Sequence, residues 1–223
     1  MDDNSHGTHV AGTIGAVGNN SVGVVGVNWI ANILACKFLN ASGSGDTTGA
    51  IDCLDYIATM KDRGVNIVAS NNSWGGGAYS NALRDAIEAQ RQRGILFVAA
   101  AGNDGGDNEI LLTYPCSYYL PNILCVALTN NDDYTYANYG KRIVHLGAPG
   151  ISILSTVPSG SYGYNSGTSM ATPHVTGVVG LVHALYPGSD WRAVKNRILA
   201  GGDVNSTLTA KTVTSRRLNA YLC

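Results

Sequence analysis

No apolar run in this 223-residue chain reaches the roughly 18 residues that a bilayer-crossing helix needs, so a membrane-spanning protein is not expected. A surplus of charge of one sign is also missing. Fourteen Lys plus Arg stand against 15 Asp plus Glu, which leaves no basic excess to neutralise phosphates, and nucleic acid is not an expected partner. With 13% charged and 45% apolar residues, the composition is not that of a disordered chain. The five cysteines (Cys36, Cys53, Cys116, Cys125 and Cys223) contain no Cys-x-x-Cys spacing, which argues against zinc, and their odd number leaves at least one thiol unpaired within the chain. Cys116 and Cys125 flank a Tyr/Pro-rich loop and are candidates for pairing, but connectivity cannot be read from spacing. The opening Met-Asp-Asp-Asn-Ser-His has neither the basic nor the apolar region of a signal peptide. No internal repeat and no linker breaks the chain, so residues 1–223 are read as one domain, long enough for one substantial core.

Glycine is what the chain has in plenty. Its 28 residues are nearly twice the usual share, which suits a loop-rich α/β enzyme with tight turns. Short apolar runs of strand length (Ile30–Leu39, Val65–Ser70, Gly94–Ala101, Ile123–Leu128 and Arg142–Leu146) alternate with amphipathic helical stretches. The helices are expected at Ser5–Ala16, Gly49–Arg63, Asn81–Arg93 and Asp190–Leu199, and Thr214–Leu222 closes the chain. In the second of these, Ile51, Leu54, Ile57 and Met60 share one face. Alternation of this kind implies parallel β-α-β units with right-handed crossovers and active residues at the carboxyl ends of strands. The expected fold is α/β, a three-layer parallel β-sheet flanked by helices.

Chemistry concentrates in Asn165–His174, Asn-Ser-Gly-Thr-Ser-Met-Ala-Thr-Pro-His, which runs into an apolar stretch of helical spacing. Gly167 and Thr168 read as a turn and a cap, so Ser169 falls in a helix's first turn. There, unpaired N–H groups and the positive end of the helix dipole can stabilise an oxyanion. Taken alone, such a serine is more often a structural cap than a nucleophile. Two further stretches carry candidate groups: Asn4–Gly12, with His6 and His9, and Val98–Asn103, a strand ending in Gly-Asn. A His-x-x-His pair could bind a metal, but ligands on a helix prefer four-residue spacing and no carboxylate lies between these two.

The octet Gly-Thr-Ser-Met-Ala-Thr-Pro-His (167–174), with Asn-Ser-His-Gly-Thr-His-Val-Ala-Gly (4–12) and Val-Ala-Ala-Ala-Gly-Asn (98–103), resembles the motifs of the subtilisin-like serine peptidases. It is not the Gly-x-Ser-x-Gly elbow of the α/β-hydrolases, because position 171 is alanine. The resemblance runs from residue 4 to a closing segment, Arg217-Leu-Asn-Ala-Tyr. It implies Ser169 as nucleophile, His6 as general base and Asn103 as oxyanion donor beside the Ser169 amide, with His9 a packed supporting residue. Ser73, Trp74 and Gly75 would pair with an extended peptide strand to strand, and Ala100, Ala101 and Gly102 would form the opposite wall of the S1 pocket. Small, uncharged walls favour a large apolar or aromatic P1 residue, and Trp74 narrows the S4 side or simply covers the core. Met170, beside the nucleophile, implies loss of activity on oxidation.

The same resemblance carries expectations about what surrounds the site. The family's triad aspartate lies tens of residues before the histidine, at the end of an early strand, whereas His6 is the sixth residue here. The chain is therefore expected to be an N-terminally truncated catalytic domain, with Asp2 and Asp3 solvated or capping rather than orienting His6. A propeptide or a complementing N-terminal segment would be a partner beside the peptide or protein substrate. No cofactor is required for catalysis. Calcium is left open as a structural ion in the Gly18–Gly26 loop, at Asn20, Val22 and Val24. By resemblance the protein acts outside the cytoplasm, as a serine endopeptidase; the alternative is a crippled fragment that binds peptides without cutting them.

Overall fold

The computed structural model describes residues 2–223. In chain order its elements are α1 (His6–Gly15), α2 (Thr47–Asp62), β1 (Ala69–Asn72), α3 (Asn81–Gln92), β2 (Leu96–Ala100), β3 (Ile123–Thr129) and β4 (Leu146–Pro149). A hairpin, β5 (Ile153–Val157) and β6 (Ser161–Asn165), leads into α4 (Thr168–Leu185) and α5 (Trp191–Gly201), and two short strands, β7 (Asp203–Val204) and β8 (Arg216–Arg217), close the fold.

The sheet runs β1-β2-β3-β4-β8-β7, parallel as far as β8, with β7 antiparallel to β8. Continuous apolar strands need cover on both faces, and the alternation of side chains distributes them. Phe97 and Ala99 of β2 face a core with Leu54 of α2 and Leu83 and Ile87 of α3. Leu96 and Val98 face the other core with Val175, Val178 and Val182 of α4 and Ile198 of α5. The three layers expected from the alternation are therefore present, and the sheet is mixed only at its β7 edge. Among the described residues no helix is long and apolar enough to cross a membrane.

α1 packs against both α4 and β5. The approach requires glycine: a Cβ on Gly12 would lie 2.1 Å from the Thr156 hydroxyl, while one on Gly177 of α4 would lie 2.5 Å from the Val27 side chain.

Three expectations are corrected. Ile30–Leu39 is not a strand: its residues form no element and make no backbone–backbone hydrogen bond among the described residues. Ile30 is 96% exposed, and Ile33 and Leu34 are also open to solvent. Apolar composition alone does not make a strand without a neighbour to pair with, and β1 pairs only with β2, leaving its other edge free. The strand expected at Val65–Ser70 lies further on, at Ala69–Asn72, with Val65 exposed. That expected at Arg142–Leu146 begins at Leu146, because Gly140 to Val144 form a turn, closed by the Val144 N–H on the Gly140 carbonyl at 2.9 Å. The β5–β6 hairpin is an element that the sequence reading did not assign.

Disulfides join Cys116 to Cys125, as the flanking spacing had suggested, and Cys36 to Cys53 on α2, which fastens the exposed segment to the fold; Cys223 is free. Unfolded but unreduced protein should therefore titrate one thiol, and five after reduction. Closing a loop of 17 residues constrains the unfolded chain by about 3 kcal/mol, so replacing Cys36 and Cys53 with serine should lower urea stability by about that amount.

Candidate active site

Asn103, Ser73 and Ser169 gather where β1 and β2 end and α4 begins, at the carboxyl edge of the sheet. Asn103 lies three residues beyond β2. Its Oδ1 accepts the Thr168 N–H at 2.8 Å and the Thr168 hydroxyl at 3.2 Å, and that hydroxyl in turn accepts the Gly102 N–H at 3.2 Å. A backbone N–H can only donate, so the oxygen of the Asn103 amide must face α4 and the nitrogen must face away. Nδ2 has no partner among the described residues. The helix has no side-chain cap of its own, since Gly167 sits at the cap position with φ 150°, a conformation that disfavours a side chain. Asn103 supplies the cap from across the sheet.

Ser169 is the second residue of α4, in the first turn as its spacing predicts, and half-buried. Its N–H has no partner among the described residues and is one of the unpaired donors that every helix start leaves. Its hydroxyl donates to the Ser73 carbonyl at 3.2 Å, and its carbonyl accepts the Ser73 hydroxyl at 2.8 Å. The second bond has a cause in the sequence. Pro173, four residues on, carries no N–H, so the Ser169 carbonyl lacks its helical donor and Ser73 replaces it. Pro173 thus sits beyond the first turn, and the bond its ring leaves unmade ties α4 to the end of β1.

His6 opens α1. Asp2 caps this helix: Oδ1 accepts the Asn4 and Ser5 N–H groups at 3.0 and 2.9 Å, and Oδ2 accepts the Thr8 N–H and hydroxyl at 2.8 and 2.6 Å. Partial burial raises the Asp2 pKa, but these four bonds outweigh it and hold the carboxyl well below the usual range. Asp3 pairs instead with Lys37 at 2.8 Å. Neither carboxylate is hydrogen-bonded to His6, whose ring makes no hydrogen bond among the described residues, to Ser169 or to anything else. Burial pushes the His6 pKa below its ordinary value, the neighbouring His9 pushes the same way, and the Asp2 charge opposes both. His9 is 1% exposed, with Nε2 2.9 Å from the Ile153 carbonyl and 3.1 Å from the Gly163 carbonyl. Both are acceptors, so Nε2 carries the proton and His9 pins α1 to the hairpin.

The expected peptide-binding residues fall on either side of Ser169. Trp74 and Gly75 make no backbone hydrogen bond among the described residues, leaving a short free edge. The Trp74 ring is partly buried on the core and meets Phe38 edge to face at 5.2 Å, with its N–H on Asn72 Oδ1 at 3.2 Å. Ala100 and Ala101 are buried, so their side chains belong to the core. Gly102 has φ 111°, and a Cβ there would lie 2.5 Å from the Asn138 amide. Sequence reasoning missed Thr168, Ser73 as a helix-fastening residue, and Asn138; no pattern in the sequence foretells contacts across 96 or 66 positions.

The Gly18–Gly26 loop contains no Asp or Glu. Asn20 Oδ1 already accepts the Val22 N–H at 3.0 Å, and no cluster of three His, Cys, Asp or Glu side chains occurs among the described residues. An amide oxygen and the Val22 and Val24 carbonyls alone do not replace the six to eight oxygens, several of them charged, that calcium requires, so the loop does not fit the ion.

A serine hydroxyl in a helix's first turn, with two unpartnered N–H donors beside it, has the make-up of the acyl-transfer class of site, and among the described residues no hydrogen bond joins it to His6. The comparisons narrow that class. The model of the subtilase family matches residues 1–214, and the chain belongs to this family. It is 38% identical over 201 residues to subtilisin E of Bacillus subtilis (strain 168), covering 89% of this chain and 50% of that protein. To subtilisin Savinase of Lederbergia lenta it is 39% identical over 199 residues, covering 88% and 69%. A crystal structure of a cold adapted subtilisin-like serine proteinase superposes with a TM-score of 0.85 at 35% identity, over 99% of this chain and 76% of the other. The chain spans about half the length of several curated relatives it matches.

Replacing Asp2 with alanine removes the α1 cap and should lower stability at pH 7 by about 1 kcal/mol. A carboxyl with a depressed folded pKa stabilises above its unfolded value and loses that contribution as pH falls through the folded one. The difference between wild type and D2A in urea unfolding should therefore shrink below about pH 4.

Proposed function

We propose that this protein is a serine endopeptidase, in which Ser169 attacks the scissile carbonyl, His6 takes and returns the proton, and Asn103 Nδ2 with the Ser169 N–H holds the oxyanion. The observation that carries this reading is the bond from the Thr168 N–H to Asn103 Oδ1 at 2.8 Å, which turns the free amide nitrogen outward beside the nucleophile. The resting hydroxyl is bonded to the Ser73 carbonyl, and activation by His6 requires it to give up that bond. Burial supports His6 as a base that is neutral at neutral pH. No cofactor takes part in these steps.

The substrate is a peptide or protein bound in extended form along the free backbone of Trp74 and Gly75, with Gly102 opposite and a preference for a large apolar P1 residue. The carboxylate that orients His6 arrives on a strand pairing with the free edge of β1, supplied by further chain or by a partner such as a propeptide. The unpaired apolar segment Ile30–Leu39 supports this, since a strand next to β1 would cover it. Two disulfides support action outside the reducing cytosol. In a subtilisin, losing the aspartate alone costs about 3 × 10⁴ in kcat and losing serine or histidine about 2 × 10⁶, so without that strand activity is reduced rather than absent.

A fluorophosphonate probe tests the reading. Labelling should map to Ser169 alone, disappear in S169A, and slow by orders of magnitude in H6A. Its rate should rise with pH through a midpoint below 6.5, the depressed His6 value. Losing one oxyanion donor in a subtilisin costs about 10² to 10³ in kcat, and N103A should fall in that range for peptide cleavage. No labelling at any pH, or equal labelling of H6A, would leave only a peptide-binding role.

A further inference from the structure

The second reactive group of this molecule lies on the far edge of the fold from the Ser169 machinery. Lys195, midway along α5, points its Nζ at three partners: the Pro121 carbonyl at 3.0 Å, the Ile123 carbonyl at 2.6 Å and His145 Nε2 at 2.9 Å. The other ring nitrogen, His145 Nδ1, accepts the Cys125 N–H at 3.0 Å.

These four bonds fix the protons. Since the Cys125 N–H can only donate, Nδ1 must carry a lone pair. A neutral imidazole with a bare Nδ1 has its proton on Nε2, and burial keeps His145 neutral, its pKa lowered to about 3. Nε2 is then a donor facing Lys195. An ammonium has three donors and no lone pair, so it cannot accept from Nε2. A neutral amine fits without remainder: two N–H donors for the two carbonyls and one lone pair for the His145 N–H.

The surroundings agree. A cavity of about 250 Å³ opens beside the pair, walled by Tyr118, Tyr119, Leu120 and Arg142, with no carboxylate on its lining to favour an ammonium. Arg142 adds positive charge and is engaged by Glu109, Nε to Oε2 at 3.0 Å. The nearest charged residue one turn back on α5, Arg192, also lies over the Trp191 ring. The Tyr118 hydroxyl bonds to Ser80. Burial brings the Lys195 pKa down to about 8.

We infer that Lys195 is an acylation site, its hydrogen-bond partners favouring the free amine more than in an ordinary lysine, open through this cavity to small activated acyl compounds. The Nζ lone pair leaves the His145 N–H and attacks the acyl carbon. A C–N bond forms, the bond from the acyl carbon to its leaving group breaks, the leaving group departs with the electron pair, and the amine proton passes to solvent. Nothing is oxidised or reduced, and neither Ser169 nor His6 takes part.

The experiment uses trace acetylation with N-hydroxysuccinimidyl acetate on the S169A chain, so that serine acylation does not compete, read lysine by lysine by peptide mass spectrometry from pH 6 to 11. Lys37, Lys61, Lys141 and Lys211 serve as internal references. Lys195 should reach half its maximal rate near pH 8, against roughly 10.4 for an unperturbed lysine. About a tenth of it is then neutral at pH 7, against on the order of one in 2,500 for a lysine of the unperturbed value. His145→Asp, which offers only acceptors to both Cys125 and Lys195, should raise the Lys195 midpoint by two units or more. A wild-type midpoint at or above 10, or no acetylation of Lys195 at any pH, overturns the inference whether or not the variant folds. A midpoint near 8 that does not move in a folded His145→Asp protein overturns the role given to the His145 N–H.

Discussion

The bond between the Thr168 N–H and Asn103 Oδ1 joins the chain just beyond strand β2 to the start of the buried helix α4, and the candidate site is built around that joint. It does two jobs at once. As a cap it satisfies the first N–H of a helix whose own cap residue is glycine and has no side chain to offer. As an orienting contact it fixes which end of the Asn103 amide is free. The Ser73 hydroxyl completes the anchorage by donating to the carbonyl that Pro173 leaves without a donor, so the chain N-terminal to Pro173 is held from the ends of two strands as well as from within the helix. Stability and chemistry share the same few atoms.

The imidazole side is built less tightly. Asp2 spends all its acceptor capacity on α1, which places His6 at a well-capped helix start but leaves the ring itself unheld. The open edge of β1 lies on the same sheet, and beyond it the exposed segment 30–39 is fastened by the Cys36–Cys53 disulfide, by the Phe38–Trp74 ring pair and by Lys37 on Asp3. A segment tethered at several points yet paired with nothing is the mark of a sheet with room for another strand.

Much of this was legible from residues alone because local rules govern it. Ser169 in a first turn follows from Gly167, Thr168 and the apolar spacing beyond. The buried strands at Leu96 and Ile123 follow from unbroken apolar runs, and the parallel layers follow from their alternation with amphipathic helices. The errors arose where a long-range fact decided the outcome. Ile30–Leu39 has strand composition and no partner, the hairpin at Ile153–Asn165 is held by His9 from 144 and 154 residues away, and the contacts of Ser73 with Ser169, of Thr168 with Asn103 and of Asn138 with Asp104 join segments that no periodicity relates. The proton arrangement at Lys195 belongs to the same class, since it needs a histidine, a backbone N–H and two carbonyls 50 to 74 positions away.

The central claim is geometric: that the nucleophile and both oxyanion donors converge on one point. A crystal structure of the protein with an apolar peptide boronic acid tests it most directly. The account predicts a bond from Ser169 Oγ to boron, with one boronate oxygen within 2.7–3.1 Å of both Asn103 Nδ2 and the Ser169 N–H. A boronate bound without the Ser169 bond, or one whose oxygens avoid Asn103, would contradict it.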